Sequence, residues 1–166
     1  IGTTTTRLEL KVGSDWQVQV QMNTPAFAPA EVPFDAEHDE LIHSVDVGGE
    51  SVAVAVASVG NPHAVIQVED LEQAPVGRLG PAIETHSRFP EGANVGFLQV
   101  FDGDRVALRV WERGVGETQA CGSGACATVI LGIQLGLLQE EVEVIFKKGS
   151  LFVKYNEGSR KLTARG

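Results

Sequence analysis

A cysteine and three small residues, Cys121-Gly122-Ser123-Gly124, stand directly before an apolar run that extends from Ala125 to Leu138. If that run is a helix, Cys121 sits at its mouth. Free N–H groups and the macrodipole stabilise anions at a helix start. A cysteine there is expected to have its thiolate favoured and its pKa lowered, which equips it as a base or nucleophile. Gly122, Ser123 and Gly124 remove side-chain bulk, so a substrate carboxylate can reach the exposed N–H groups. The plainer alternative is that Cys121 fills space and the glycines only turn the chain. Cys126 is a different case. Five residues of helix rotate it ~140° away from Cys121 and raise it ~7.5 Å, so it cannot face the same small substrate and reads as core.

Other chemistries fit the residues less well. The spacing of "CGSGAC" is wrong for a zinc knuckle, no histidine pair stands at metal-ligand spacing, and no metal is expected. A dithiol redox pair needs two residues between its cysteines, and here there are four. A Cys–His hydrolase with His63 or His86 has no family-specific signature behind it. Arg113 offers a planar fork suited to a carboxylate, but a lone loop arginine is more often a surface charge. Asn61, before Pro62, and Asn94 read as turn asparagines, and His63 as a structural histidine.

The elements that must hold these residues show mostly period-two patterning. "RLELKV" and "WQVQVQM" flank Gly13-Ser14-Asp15 as a hairpin. "SVAVAVASV" places Val52, Val54 and Val56 on one face and Ala53, Ala55 and Ala57 on the other, so it can be covered on both sides, tightly on the alanine side. "HAVIQV" follows the Gly60-Asn61-Pro62 break. "FLQVF" and "RVALRVW" flank the turn Asp102-Gly103-Asp104. "EVEVIF" and "SLFVKY" flank Lys147-Lys148-Gly149, and "KLTA" adds a short last strand. Pro75 to about Arg88 is amphipathic, with Val76, Leu79 and Ile83 at helical spacing. The second helix, from about Ser123 to Leu137, is apolar all round and is therefore expected to be enclosed by strands. Within it, Gly132 and Gly136 are expected to let a strand backbone approach closely. The expected fold is α+β: eight or nine antiparallel strands in a barrel-like sheet wrapped around a central buried helix.

The length, 166 residues, suits one domain with a real core. Thirteen Lys and Arg against 22 Asp and Glu leave a net charge of −9, which disfavours a nucleic-acid or anionic-membrane partner because both call for a basic patch. The longest apolar run is too short to span a bilayer. No export leader is visible. Two closely spaced cysteines suit a reducing cytoplasm better than a disulfide framework.

Three motifs together, "WERGVGETQACGSGAC" from Trp111, "GNPHAV" from Gly60 and "RFPEGANVGF" from Arg88, resemble the diaminopimelate epimerase family. The resemblance runs through most of the chain in the same order, and it corresponds to the carboxy-terminal half of that family's subunit. It implies a single domain over residues 1–166, from an enzyme in which two similar halves enclose the substrate. It further implies a cofactor-independent isomerase that interconverts LL- and meso-diaminopimelate on the route to lysine, with a thiolate base and a thiol acid on opposite faces of the α-carbon. Carried over, Cys121 is the carboxy-terminal catalytic cysteine. Gly122 and Ser123 match backbone donors to the reacting carboxylate. Asn61, Asn94 and Arg113 match contacts to the substrate's distal end, with Glu112 contributing through its backbone. His63 and Glu112 match positions that tune the protonation of the cysteines. His38, His43 and His86 gain no role.

The family's second motif, a Cys-Gly-Asn-Gly type from the amino-terminal half, is absent, as is its last returning strand. The chain starts at Ile1 and stops at Gly166 as though cut from something longer. The expected partners are diaminopimelate, the amino-terminal domain of the same enzyme and, by the resemblance, a second subunit. A two-sided proton transfer needs acid and base on opposite faces at once, so this chain is expected to be inactive alone. The readings weighed against this are a proline-racemase-like or phenazine-pathway relative of the same double architecture, and a substrate-binding module without catalysis.

Overall fold

A computed structural model describes residues 5–10 and 16–166. Among them eleven strands form one sheet. The strands are β1 (Thr5–Leu10), β2 (Trp16–Gln21), β3 (Ile42–Val47), β4 (Glu50–Ser58), β5 (Pro62–Gln67) and β6 (Asn94–Asp102). After these come β7 (Arg105–Glu112), β8 (Gly116–Thr118), β9 (Glu141–Phe146), β10 (Gly149–Asn156) and β11 (Lys161–Arg165). Two α-helices, α1 (Val76–Glu84) and α2 (Gly122–Gln134), complete the fold with one 3-10 turn at Pro29–Glu31. The order across the sheet is β1-β2-β11-β10-β9-β7-β6-β5-β4-β3, with β8 added to β7. β1 and β2 pair antiparallel as read from the sequence, although the turn Gly13-Ser14-Asp15 lies outside the described residues.

Two corrections to the expected sheet follow. β5 pairs with β6 in parallel, and so does β7 with β9, so the sheet is mixed rather than antiparallel. Parallel neighbours need a crossover connection, and the two helices supply one each. Both crossovers move the same way across the sheet, but β7 runs opposite to β6. Right-handed connections therefore put α1 and α2 on opposite faces. The core divides accordingly. Val76, Leu79 and Ile83 of α1 pack with Val52, Val54 and Val56, while α2 packs with Ala55, Ala57 and Val59. The alanine side of β4 is thus the side of the apolar helix.

The second correction is closure. α2 lies against β4, β5 and β6 and also against β10 and β11, from opposite sides of the β9–β7 centre. The sheet curls around the helix, but its path ends at β1 and β3 and is open rather than a closed barrel. α2 is enclosed as expected, with every residue from Gly124 to Gly132 buried. Gly132 does not admit a strand backbone. A Cβ there would stand 2.3 Å from Leu138 Cδ1, so the glycine seats a side chain. Gly136 lies beyond the helix at φ +73, where its N–H bonds Ile133 O and that of Leu137 bonds Gly132 O, a Schellman termination.

Two strands escaped the sequence reading. In β3 the buried positions are His43 and Val45, and a polar residue at an inward position breaks the apolar alternation. β8 is three residues, Gly-Glu-Thr, with no apolar member. α1 is shorter than expected and ends at Glu84. No helix among the described residues is long and apolar enough to cross a membrane.

Candidate active site

The expected site residues gather at one end of the sheet, where β5 and β6 begin, β7 ends and α2 starts. Parallel pairing sets His63 opposite Asn94. Antiparallel pairing sets Val95 opposite Trp111, which carries Glu112 and Arg113 alongside Asn94. Asn94 is therefore a buried strand residue, not a turn asparagine. Its Nδ2 donates to Pro62 O at 3.1 Å, and its Oδ1 accepts from the Arg113 N–H at 3.0 Å. One side-chain amide thereby joins β5 to the end of β7 across β6.

His63 is fully buried, with Nε2 3.1 Å from Asn61 Oδ1. Burial first, and then the positive charge of Arg113, hold its pKa down at about 3. It is a neutral imidazole, and its bond to the Asn61 oxygen calls for the Nε2–H tautomer. Arg113 is exposed, and its Nη1 donates to Glu91 O at 2.6 Å. Gly92, at φ +71, lets the arginine stem pass, since a Cβ there would stand 2.9 Å from Arg113 Cδ.

Cys121 is the N-cap of α2, in extended conformation at φ −142 and ψ 108. Its sulfur accepts from the Gly124 N–H at 3.3 Å and lies 3.6 Å from Ser123 Oγ. With the third helical amide taken by sulfur, the first two are those of Gly122 and Ser123. Among the described residues no acceptor is bonded to either. They are the amides expected to receive a carboxylate. The small residues have separate reasons. A Cβ on Gly122 would meet nothing within 4 Å, so its surface is open to approach. Gly124 is small for an inward reason, because its Cβ would stand 3.1 Å from Val110 Cγ2 and 3.2 Å from Cys121 Sγ.

The expected lowering of the Cys121 pKa is not found. Burial, with the residue only 6% exposed, pushes the thiol up. The bonds from Ser123 and Gly124 oppose this, while the Glu112 carboxylate nearby adds to the rise. The helix mouth does assist the thiolate through Gly124, but the loss of water outweighs it. Cys126 is completely buried, and its thiol is pushed up to about 12, again by burial, which matches the core reading.

The structure brings Glu112 to Cys121, while His63 contacts Asn61 and feels Arg113 instead. Thr118 was missed in the sequence. Its Oγ1 donates to Glu112 Oε1 at 2.5 Å and so aims the carboxylate that faces the thiol. A threonine in a polar loop carries no signal of that contact. The register of β8 against β7, which pairs Gly116 with Glu112, creates it.

A family model described as diaminopimelate epimerase matches residues 55–164. Diaminopimelate epimerases from Pseudomonas paraeruginosa and Stutzerimonas stutzeri are 51% and 49% identical over 148 residues, 89% of this chain and 54% of theirs. The chain spans about half the length of the curated relatives it matches. Among solved structures, a probable proline racemase from Agrobacterium radiobacter is similar with TM-score 0.65 and 15% identity, over 98% of this chain and 54% of the other. A hydroxyproline epimerase from Agrobacterium vitis is similar with TM-score 0.62 and 16% identity, over 98% and 53%. At these identities the structural likeness speaks for the fold.

Proposed function

Since the chain belongs to the diaminopimelate epimerase family, we propose that it supplies one acid–base face and the carboxylate pocket of a cofactor-independent epimerase acting on diaminopimelate. The observation that carries this reading is the mouth of α2, where a buried cysteine sulfur sits beside two unbonded backbone amides. A substrate α-carboxylate held by the Gly122 and Ser123 N–H groups brings the α-carbon to Cys121. The helix dipole and those donors stabilise the charge that develops on the carboxylate as the α-proton leaves.

With its thiol pushed up, Cys121 rests protonated and acts as the acid. A thiolate from a second half takes the α-proton on one face while Cys121 gives its own proton to the other. In the reverse direction the roles exchange. One C–H bond breaks, one forms, and no electrons are gained or lost. Arg113, Asn61 and Asn94 bind the distal amino-acid end, and the Glu112 backbone contributes there. Burial, and beside it the Glu112 carboxylate, keep Cys121 protonated, and His63, which hydrogen-bonds Asn61 rather than Cys121, is assigned to the opposite cysteine. The enzyme works in the cytoplasm, where thiols stay reduced, and its full-length subunits pair.

Alone, the chain does not turn over, because inversion needs both faces. The test is deuterium uptake at the α-carbon of diaminopimelate in heavy water. The 166-residue chain is expected to give none above background. The chain joined to the amino-terminal half of the Pseudomonas paraeruginosa relative is expected to exchange, and Cys121→Ala to abolish it. Exchange by the single chain that is abolished by Cys121→Ala, or a joined enzyme indifferent to that substitution, overturns the proposal.

A further inference from the structure

Glu84, the last residue of α1, carries a carboxylate where the helix dipole disfavours one. What it does there is bond two donors that bracket the substrate loop. Its Oε2 accepts from Trp111 Nε1–H at 2.7 Å, and its Oε1 accepts from the Gly114 N–H at 2.6 Å. Between these two anchors stand Glu112 and Arg113. Its backbone O also accepts from the Ala93 N–H at 3.2 Å, next to Asn94. Gly80, one turn earlier, makes room for the same indole, since a Cβ there would stand 2.6 Å from Trp111 Cγ. Both side-chain bonds have the short lengths of charge-assisted hydrogen bonds.

We propose that Glu84 is a positioning residue that holds the Glu112–Arg113 corner, and with it the Arg113 fork, in the geometry that takes the substrate's distal carboxylate. The role of Arg113 rests on the function proposed above. The holding of the corner does not. A carboxylate suits the task because it is acceptor-only and can serve an indole N–H and a backbone N–H at once. Neither glutamine nor aspartate can: glutamine keeps one acceptor oxygen, and aspartate is shorter by a methylene.

The test compares Glu84→Gln with Trp111→Phe. The phenylalanine variant removes the indole donor, together with the part of the ring that lies near Gly116, and leaves the bond to Gly114. In the 166-residue chain, hydrogen exchange read by NMR is expected to show the Gly114 amide at least tenfold faster in Glu84→Gln. In Trp111→Phe it stays within about threefold of the parent. In the joined two-half enzyme, losing a contact made alike in ground and transition state raises KM and leaves kcat in place, and the proposal assigns the Arg113 fork such a contact. Glu84→Gln is expected to raise KM for diaminopimelate about tenfold while kcat falls by less than threefold, and Trp111→Phe to change KM by less than threefold.

A loss confined to kcat, as from a smaller folded fraction, overturns the positioning role, as does unchanged exchange at Gly114. If Glu84→Gln does not fold, Glu84→Asp takes its place with the same expected outcomes. If the joined enzyme with Glu84 intact shows no epimerisation, the function reading falls instead, and the exchange measurement by itself decides whether Glu84 holds the corner.

Discussion

Gly92→Ala isolates the coupling between a backbone turn and the substrate fork, and its size can be worked out beforehand. Gly92 sits at φ +71 and Gly48 at φ +62, so alanine at either must enter the left-handed region. That costs ~1–2 kcal/mol, and the smaller entropy of the unfolded alanine chain returns part of it, leaving about 1 kcal/mol. At Gly48, in the β3–β4 turn, nothing else follows, because a Cβ there has no neighbour within 4 Å. At Gly92 the Cβ would stand 2.9 Å from Arg113 Cδ, in mid-stem, while Nη1 is tied to Glu91 O at 2.6 Å. The arginine cannot simply swing aside, so an overpacking penalty of ~1–3 kcal/mol is added. For a chain of this size each kcal/mol lowers Tm by ~2–4 °C, so Gly48→Ala should fall by about 3 °C and Gly92→Ala by about 9 °C. Thermal unfolding followed by circular dichroism reads both. The same substitution in an Arg113→Ala background should shrink toward the Gly48 value, stopping short of it because a Cβ at Gly92 also stands 3.2 Å from Glu84 O, a coupling of about 1–3 kcal/mol in a double-mutant cycle. Equal losses at the two glycines, or an undiminished loss without the arginine, would refute the claim that Gly92 exists to let Arg113 pass.

Two further expectations concern protons. His63 has its folded pKa depressed to about 3, so the unfolded chain binds more protons as pH falls below the ordinary histidine value of 6.5. From His63 alone stability should drop by about 1 kcal/mol per pH unit between pH 6.5 and 5, above the range where carboxylates titrate, and His43, also held low by burial, adds to the fall. Urea titrations across that window should show His63→Gln with a shallower slope, and an unaltered slope refutes the assignment. The two thiols should separate under iodoacetamide in the native state. Cys121 should react slowly at pH 7, because its thiol is pushed up, and faster as pH rises, with Glu112→Gln accelerating it at fixed pH. Cys126, enclosed and pushed up to about 12, should stay unmodified until the chain unfolds. Mass spectrometry of the labelled peptides distinguishes the sites, and a Cys121 that outpaces free cysteine at pH 7 contradicts the resting thiol.

What the sequence determined by itself was local and periodic. The apolar run after Cys121 has no polar face, so no arrangement other than enclosure satisfies it, and α2 is enclosed. The alternation of valine and alanine in β4 likewise assigns its two faces, because a strand offers two sides and the residue sizes differ between them. Hairpin turns such as Asp102-Gly103-Asp104 and Lys147-Lys148-Gly149 are legible because their ends are neighbours in the chain. The motifs around Gly60, Arg88 and Trp111 named the family because they preserve order as well as identity.

Tertiary structure decided what depends on distant partners. The parallel pairings of β5 with β6 and β7 with β9 are invisible in alternation, which is the same for either direction. The site's electrostatics were decided there too. A helix mouth argues for a thiolate, yet water is the larger stabiliser of charge, and only the packed structure shows that Cys121 has lost it. The same holds for Asn94, which reads as a turn residue and is a buried clamp between Pro62 and Arg113. Glu84 is the sharpest case. Its sequence neighbours give no reason for a carboxylate at a helix end, and the reason lies 27 and 30 residues away in Trp111 and Gly114.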